Sequence, residues 1–348
     1  MDPRATADHV HTLLDQAGHA RTQGRHAACI EHLTQAQAAL SEADLPDVMS
    51  QVSWRLSKAH YDFGTPEGML DAVTPLLEAG QPFHGNPGAR RALSTIAKRW
   101  WDSRGYADDR VAKLWGAWAQ SYADDSDPWM QASGETQRAR HVACAGNNEE
   151  LDSIIEHYLT LDPKRFGVGP HRHPSAPDTP SSVWWAQLEL LRIGLWHATW
   201  SQRADRAIDL LDSLEDAAEA AEIDRASDPW FLDPACRAAI AFGWADVLER
   251  YSADWLRALR ALDHPRAAFH LALATGSLPS TDPADAIAAL QEAIHLADTD
   301  KIGAEWRIDA RLSLANRLSD SEESTRYSLR QQAAEIAAST GVGAFPTS

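Results

Sequence analysis

The sequence predicts an all-α protein, an α-solenoid of antiparallel helical hairpins with about sixteen helices. Three observations favour this fold. A small residue followed by aliphatic residues at three- and four-residue spacing recurs along the chain. Alanine is abundant and runs of β-branched residues are scarce, which favours helix over strand. Prolines preceded by a capping side chain recur at positions where helices would begin.

The recurring pattern is recognisable at three places. A small residue lets two helices approach closely, and the aliphatic residues one and two turns further on extend the same face. These segments are therefore predicted to be the second helices of hairpins. They read Cys29-Ile30-x-x-Leu33-x-x-Ala36, Ala207-Ile208-x-x-Leu211-x-x-Leu214 and Ala286-Ile287-x-x-Leu290-x-x-Ala293. The predicted packing face of the central helix consists of Ile208, Leu211, Leu214, Ala218 and Ala221.

Four dipeptides predict helix starts, because proline suits the first helical position and the preceding side chain can cap the free amides. They are Thr65-Pro66, Asp127-Pro128, Asp228-Pro229 and Asp282-Pro283. The last helix, at about 324–339, is predicted to cover the apolar face of the last hairpin through one side of its surface. That side consists of Leu329, Ala333, Ile336 and Ala337.

One break in the helical pattern divides the chain. Residues 162–182 contain GVGPHRHPSAPDTPSS, which is rich in proline and has no helical period. We expect an N-terminal helical-repeat half at 1–161, a loop at 162–182, a C-terminal half with its capping helix at 183–340 and a frayed tail at 341–348. His171 and His173 lie in the loop without a nearby cysteine or carboxylate at ligand spacing, so no metal site is predicted.

Composition narrows the classes of function. The 348 residues carry a formal charge of −18, which would repel a phosphate backbone, so we expect no nucleic-acid partner. No eighteen apolar residues run together and no signal-peptide pattern occurs, so we expect a soluble, cytoplasmic protein without a membrane partner. Cys29, Cys144 and Cys236 lie far apart in apolar helical patterns and are predicted to be free core residues.

Residues 266–297 resemble a tetratricopeptide repeat (TPR), with small residues at the close-packing positions of that repeat. Residues 5–42 are similar, whereas in 184–215 Leu195 stands where the repeat has a small residue. The resemblance implies a right-handed superhelix whose concave face, lined by first helices, binds a peptide or a helix of another protein. The matching small residues are Ala274, Ala286 and Ala293 in the first segment and Ala17, Gly24, Cys29 and Ala36 in the second, where Leu33 matches the large position.

Two tryptophans and one acidic stripe are the candidate partner-binding residues. Trp196 and Trp200 lie in strongly periodic segments and are predicted to pack between helices, whereas Trp129 and Trp230 follow helix-start prolines and are candidates for partner contact. The stripe is either a solvated surface or a ridge that attracts a basic partner. It consists of Asp205, Asp209, Asp212, Glu215, Glu219 and Glu222.

The favoured hypothesis is a non-catalytic scaffold or adaptor that binds a protein or peptide in its concave groove. No phosphate-binding glycine loop, His-Glu-x-x-His pair or nucleophile elbow occurs, so neither an enzyme nor a cofactor is predicted. One alternative is a ligand- or peptide-responsive regulator, which a narrow, apolar concave pocket ringed by tryptophan would indicate. Another is an α/α-toroid enzyme of the glycosidase or cyclase type, which needs two carboxylates in one pocket. Asp124, Asp127 and Asp228 are its candidate carboxylates.

Overall fold

The computed structural model of the protein describes residues 3–41, 45–78, 128–163, 184–264, 266–299 and 302–345. These residues form fourteen α-helices and one short 3₁₀-helix, and none of them lies in a strand. The prediction of an all-α protein is confirmed for this part of the chain. The helices are α1 Pro3–Thr22, α2 His26–Leu40, α3 Pro46–Phe63, α4 Pro66–Glu78, α5 Pro128–Ala145, α6 Asn148–Leu159, α7 Trp185–Trp200, α8 Ala204–Ala220, α9 Pro229–Phe242, α10 Ala245–Ala261, α11 Ala267–Ser277, α12 Pro283–Thr299, α13 Ala304–Arg317 and α14 Glu323–Thr340, and the 3₁₀-helix is Asp320–Glu322.

The chain divides into two compact units, the first containing α1–α4 and the second containing α5–α14. The predicted halves on either side of the 162–182 loop stay a prediction, because most of that loop lies outside the described residues. In both units each odd-numbered helix contacts the even-numbered helix that follows it, so the helices pair as hairpins. We call the odd-numbered helices the first helices. In the second unit each first helix also contacts the first helix of the next pair, from α5 through to α13.

Helix starts lie where the proline dipeptides predicted them. Thr65 Oγ1 accepts the amide of Gly68 at 3.1 Å, and Asp228 Oδ1 accepts the amide of Trp230 at 3.0 Å. Asp282 caps α12 in the same way. Helix α5 begins at Pro128, while Asp127 lies outside the described residues.

The predicted close-packing positions are buried except for Gly24, where the prediction is wrong. Ala274, Ala286 and Ala293 are fully buried. Beside them Gly276 approaches α12 so closely that an added Cβ would lie 2.4 Å from Leu290 Cγ. Gly24, in contrast, has open space around it and a φ of +69°, so the turn between α1 and α2 requires glycine for its backbone conformation rather than for packing.

The predicted packing face of α8 is wrong at Ile208, which is 44% exposed. Leu210 is buried instead, together with Leu211 and Leu214. The packed stripe begins at Ala207 and uses both members of the Leu210–Leu211 pair, because α8 is covered by helices on two sides, α7 and α9. A helix packed on two sides buries a wider face than the narrow stripe that the spacing alone defines.

The C-terminal helix α14 packs on α13 as predicted, with Leu329 and Ala333 buried. The prediction of a frayed tail is wrong for residues 341–345. Val342 and Ala344 are buried, and the amide of Gly343 donates to the carbonyl of Cys144 at 2.9 Å. The tail is therefore held against the end of α5, and residues 346–348 lie outside the described residues.

The three cysteines are buried and form no disulfide, as predicted from their apolar surroundings. Burial raises the pKa of the Cys29 and Cys236 thiols above their usual range, which favours the inert thiol over the reactive thiolate. Among the described residues, no helix combines the length and apolarity that crossing a bilayer requires.

Deletion of residues 320–348 should cause the protein to aggregate, because it uncovers the face of α13 that α14 buries and removes the tail contact with α5. Size-exclusion chromatography with light scattering and a thermal melt would measure the effect. A truncated protein that stays monomeric with an unchanged melting temperature would contradict the capping role.

Candidate functional site

A cavity of about 640 Å³ lies in the second unit, where four consecutive first helices, α7, α9, α11 and α13, meet α14. Its volume is within the range of small-molecule binding sites. The walls are largely apolar, with tryptophan, isoleucine, leucine and alanine, and they carry three arginines and one aspartate. The lining residues include Trp196, Trp200, Arg237, Ser277, Asp309, Leu312, Asn316, Arg317, Arg330, Ala333, Ala334 and Phe345.

A buried arginine stands at the inner end of this cavity between two carboxylates. Arg237 Nε donates to Asp233 Oδ2 at 2.9 Å, and Arg237 Nη1 donates to Asp309 Oδ2 at 3.1 Å. The side chains of Arg237 and Asp233 are only 7% and 5% exposed. Asp233 lies one turn before Arg237 on α9, whereas Asp309 comes from α13, so the guanidinium joins two first helices.

Tryptophans surround this charged centre. The indole N–H groups of Trp196 and Trp255 donate to the two oxygens of Asp233, each at 3.2 Å. The ring of Trp306 lies 5.1 Å from the Arg237 guanidinium carbon, a cation–π distance. Trp306 also packs edge-on against Trp196 and Trp200, with ring centroids 5.5 and 5.3 Å apart. The charges are therefore enclosed by aromatic rings that also supply hydrogen bonds.

At the charged centre, burial and ion pairing shift the pKa values of the side chains in opposite directions. Burial alone would lower the pKa of Arg237, but the charges of Asp233 and Asp309 and the hydrogen bond to Asp233 together raise it above its usual range. Burial also raises the pKa of the Asp309 carboxyl, against the opposing effects of Arg237 and Trp200. Arg237 therefore stays charged, and Asp309 is protonated more readily than an exposed aspartate.

Two buried polar atoms on residues of the cavity wall have no hydrogen-bond partner in the described part of the chain. They are Arg237 Nη2, a donor, and Ser277 Oγ, which can donate or accept. Leaving such a group unsatisfied costs about 1–3 kcal/mol, and buried polar groups in native proteins are nearly always paired. Both atoms are shielded from solvent, so a ligand in the cavity would reach them only if neighbouring side chains moved.

The acidic stripe lies apart from this cavity, because none of its six residues lines the wall. The acidic stripe lies on α8 and just beyond it, and Glu222 follows the helix end with a φ of +56°. Glu215 is not free, because it accepts hydrogen bonds from Tyr251 Oη at 2.9 Å and from Arg250 at 3.3 Å. The exposed members of the stripe are Asp205, Asp209, Asp212, Glu219 and Glu222.

Trp230 is half-buried at the start of α9, and the Arg192 guanidinium covers its ring at 5.0 Å. The side chain of Trp129 lies outside the described residues, although α5 includes its backbone. Trp196 and Trp200, predicted to pack between helices, are buried as expected. Trp230 does not line the cavity.

The residues of the charged centre were not singled out from the sequence, although a signal was present. Asp233 and Arg237 are four residues apart in FLDPACRAAI, an otherwise apolar stretch that follows a capped proline. Opposite charges at that spacing inside an apolar helix indicate a buried ion pair. Asp309 could not be found in this way, because its neighbours in α13 include several other charged residues.

Among the described residues no cluster of three metal-ligating side chains occurs. His171 and His173 lie outside these residues, as do Asp124 and Asp127. Asp228 is occupied as the cap of α9. No protein-family model matches the sequence, and a comparison with curated proteins gives no match either. The case for a function therefore comes from the cavity itself.

Replacement of Asp233 by asparagine should lower the free energy of unfolding by about 3 kcal/mol, because it leaves a buried guanidinium with less compensation. Urea denaturation followed by tryptophan fluorescence would measure the change. Asp254→Asn is the matched control, since it breaks a solvent-exposed pair with Arg257 that contributes little. Equal, small losses in the two variants would contradict a structural role for the charged centre.

Stability should fall as the pH decreases from about 6.5 toward 4, partly because of His197. Burial and then the charge of Arg203 lower the pKa of this buried histidine from 6.5 to about 4, so the unfolded state binds the proton first. The contribution of the neutral histidine to stability is complete above pH 6.5 and decreases by about 1.4 kcal/mol for each pH unit below it.

Denaturant titrations across this pH range would measure the slope in His197→Gln, which should be shallower than in the unmodified protein. His11→Gln, at an exposed position, is the control and should leave the slope unchanged. An identical slope in all three proteins would show that His197 does not contribute.

Proposed function

We propose that the protein is a non-catalytic, TPR-like helical-repeat protein that binds a ligand in the cavity between its first helices. The proposal is based on the helices that form the cavity: four consecutive first helices and α14 contribute residues to its wall. In a right-handed TPR-like solenoid the first helices face the concave groove. The contacts between successive first helices in the second unit support that arrangement.

The form of the cavity favours a ligand-responsive protein that takes up a small molecule or the end of a peptide. Trp196 and Trp200 contribute a large apolar area to its wall, and three arginines supply positive charge. A ligand inside would contact α7 and α9 on one side and α14 on the other. If the ligand binds one arrangement of these helices more tightly than another, it shifts the population toward that arrangement.

We propose no reaction for the two carboxylates of the charged centre. Asp233 accepts from three donors, on Trp196, Trp255 and Arg237, so both of its oxygens are occupied. Asp309 is paired with the same guanidinium. Their geometry serves to hold Arg237 in place, whereas a general acid and base would each need a free oxygen facing the substrate.

The acidic stripe supports a second, compatible role as an adaptor for a basic protein. Asp205, Asp209 and Asp212 are exposed on α8, which contributes no residue to the cavity wall. A basic partner could therefore dock there while the cavity is occupied, and the overall charge of −18 would speed its approach. The three buried cysteines, which form no disulfide, are compatible with the cytoplasmic location that we propose.

Ala334→Trp should abolish ligand binding without loss of stability, because Ala334 is an exposed residue of α14 that lines the cavity. Ala338→Trp, one turn further along and exposed outside the cavity, is the matched control. A library of small organic molecules and a library of short random peptides would be screened against the full chain by thermal shift, and hits confirmed by calorimetry.

Hits should bind the unmodified protein and Ala338→Trp but not Ala334→Trp. Hits that bind all three proteins equally would place the binding site elsewhere. The absence of any hit from either library would contradict the proposed function.

A further inference from the structure

The outer end of the cavity carries two arginines whose charge is not compensated. Arg317 donates to the backbone carbonyls of Gly276, at 3.0 Å, and of Leu278. Arg330, which is exposed on α14, donates a long hydrogen bond to the Asn316 amide oxygen, at 3.5 Å. Neither arginine forms an ion pair with any residue that the structure describes. Two guanidinium groups from different helices thus line one opening without a carboxylate partner.

The inner end carries no uncompensated positive charge, because its one arginine is paired with two carboxylates. There Arg237 is held by Asp233 and Asp309. Asp309 and Arg317 are eight residues apart on α13, a distance of about 12 Å along the helix axis. An anion at the outer arginines would therefore be well separated from the carboxylates, whereas an anion at Arg237 would be repelled by both of them.

Between the two ends the walls are apolar. Trp200 and Phe345 lie with ring centroids 5.3 Å apart, and Leu312 and Ala333 also contribute. At the inner end Arg237 Nη2 has no hydrogen-bond partner in the described chain, but this atom is shielded from solvent. The cavity thus presents a cationic opening and an apolar middle.

We propose that the cavity binds a small organic anion, a carboxylic acid with an aromatic or branched apolar body. Its carboxylate would contact the guanidinium groups of Arg317 and Arg330. Arg330 can hold a carboxylate through paired N–H groups, whereas Arg317 would use Nη1, because its Nε and Nη2 already donate to backbone carbonyls. The apolar body of the ligand would lie along Trp200 and Phe345. This inference rests on the proposed function, since it specifies the ligand of the same cavity.

Matched pairs of acids and amides test the charge directly, because the members of a pair have nearly the same shape. Phenylacetate, naphthylacetate and indole acetate would each be compared with the corresponding amide by calorimetry on the full chain. The test variant is Arg330→Gln, an exposed substitution that removes one guanidinium from the cavity. The control is Arg326→Gln on the same helix, where the side chain pairs with Asp320 away from the cavity wall.

At least one acid should bind at least about tenfold more tightly than its amide, and Arg330→Gln should weaken that acid by about tenfold. The amide's affinity should not change, and Arg326→Gln should behave like the unmodified protein.

Amides that bind as tightly as acids, or equal weakening by the two glutamine variants, would overturn the inference. So would the failure of every acid to bind while a neutral library hit remains sensitive to Ala334→Trp, and in that case the proposed function would stand. Failure of the acids together with both libraries would remove the function and the inference alike.

Discussion

The second unit depends on one buried guanidinium. Arg237 is held by Asp233 within α9 and links this helix to α13 through Asp309. Moving the guanidinium out of the interior would break both ion pairs. Burying an arginine is costly unless its charge and its N–H groups are matched, and here two carboxylates and an aromatic face do most of that matching. The tryptophans follow from the same constraint, since Trp196 and Trp255 satisfy the remaining lone pairs of Asp233. A polar pair placed within an apolar core fixes which helices adjoin, where apolar contacts alone would tolerate other registers.

Because the Arg237 charge must be compensated, the two ends of the cavity differ in their charged groups. At its inner end every carboxylate oxygen of Asp233 is engaged, while one guanidinium nitrogen is not. At its outer end Arg317 binds the carbonyls at the end of α11, a favourable place for a cation because the helix dipole is negative there. The arginine thus has a structural partner on one side and an open side toward the cavity. One residue can stabilise a helix end and still offer charge to a ligand, which reconciles a structural role with a binding role.

Features that depend on residues close together in the chain could be predicted from the sequence, whereas the packing of distant helices could not. Capped prolines predicted the starts of α4, α9 and α12, because capping depends on residues adjacent in the chain. Buried alanines such as Ala286 were also predictable from spacing. Ile208 was misassigned because a helix with neighbours on two sides buries a different set of positions, and the cavity was missed because Arg237 and Asp309 are brought together from separate helices. The tail was expected to fray because chain ends are usually poorly ordered, but Val342 and Phe345 pack on a surface that exists only in the folded unit.

The contact between Gly343 and Cys144 has a consequence for how the second unit unfolds. In an open repeat array each hairpin contacts only its neighbours, so terminal repeats can melt while the remainder stays folded. Here the tail ties the last helix to the first helix of the unit across about 200 residues of chain, a closure whose entropic cost grows only slowly with length. Opening either end therefore breaks this contact at the other. We expect the melting of the second unit to be more cooperative than that of a linear solenoid, whose terminal repeats can unfold independently.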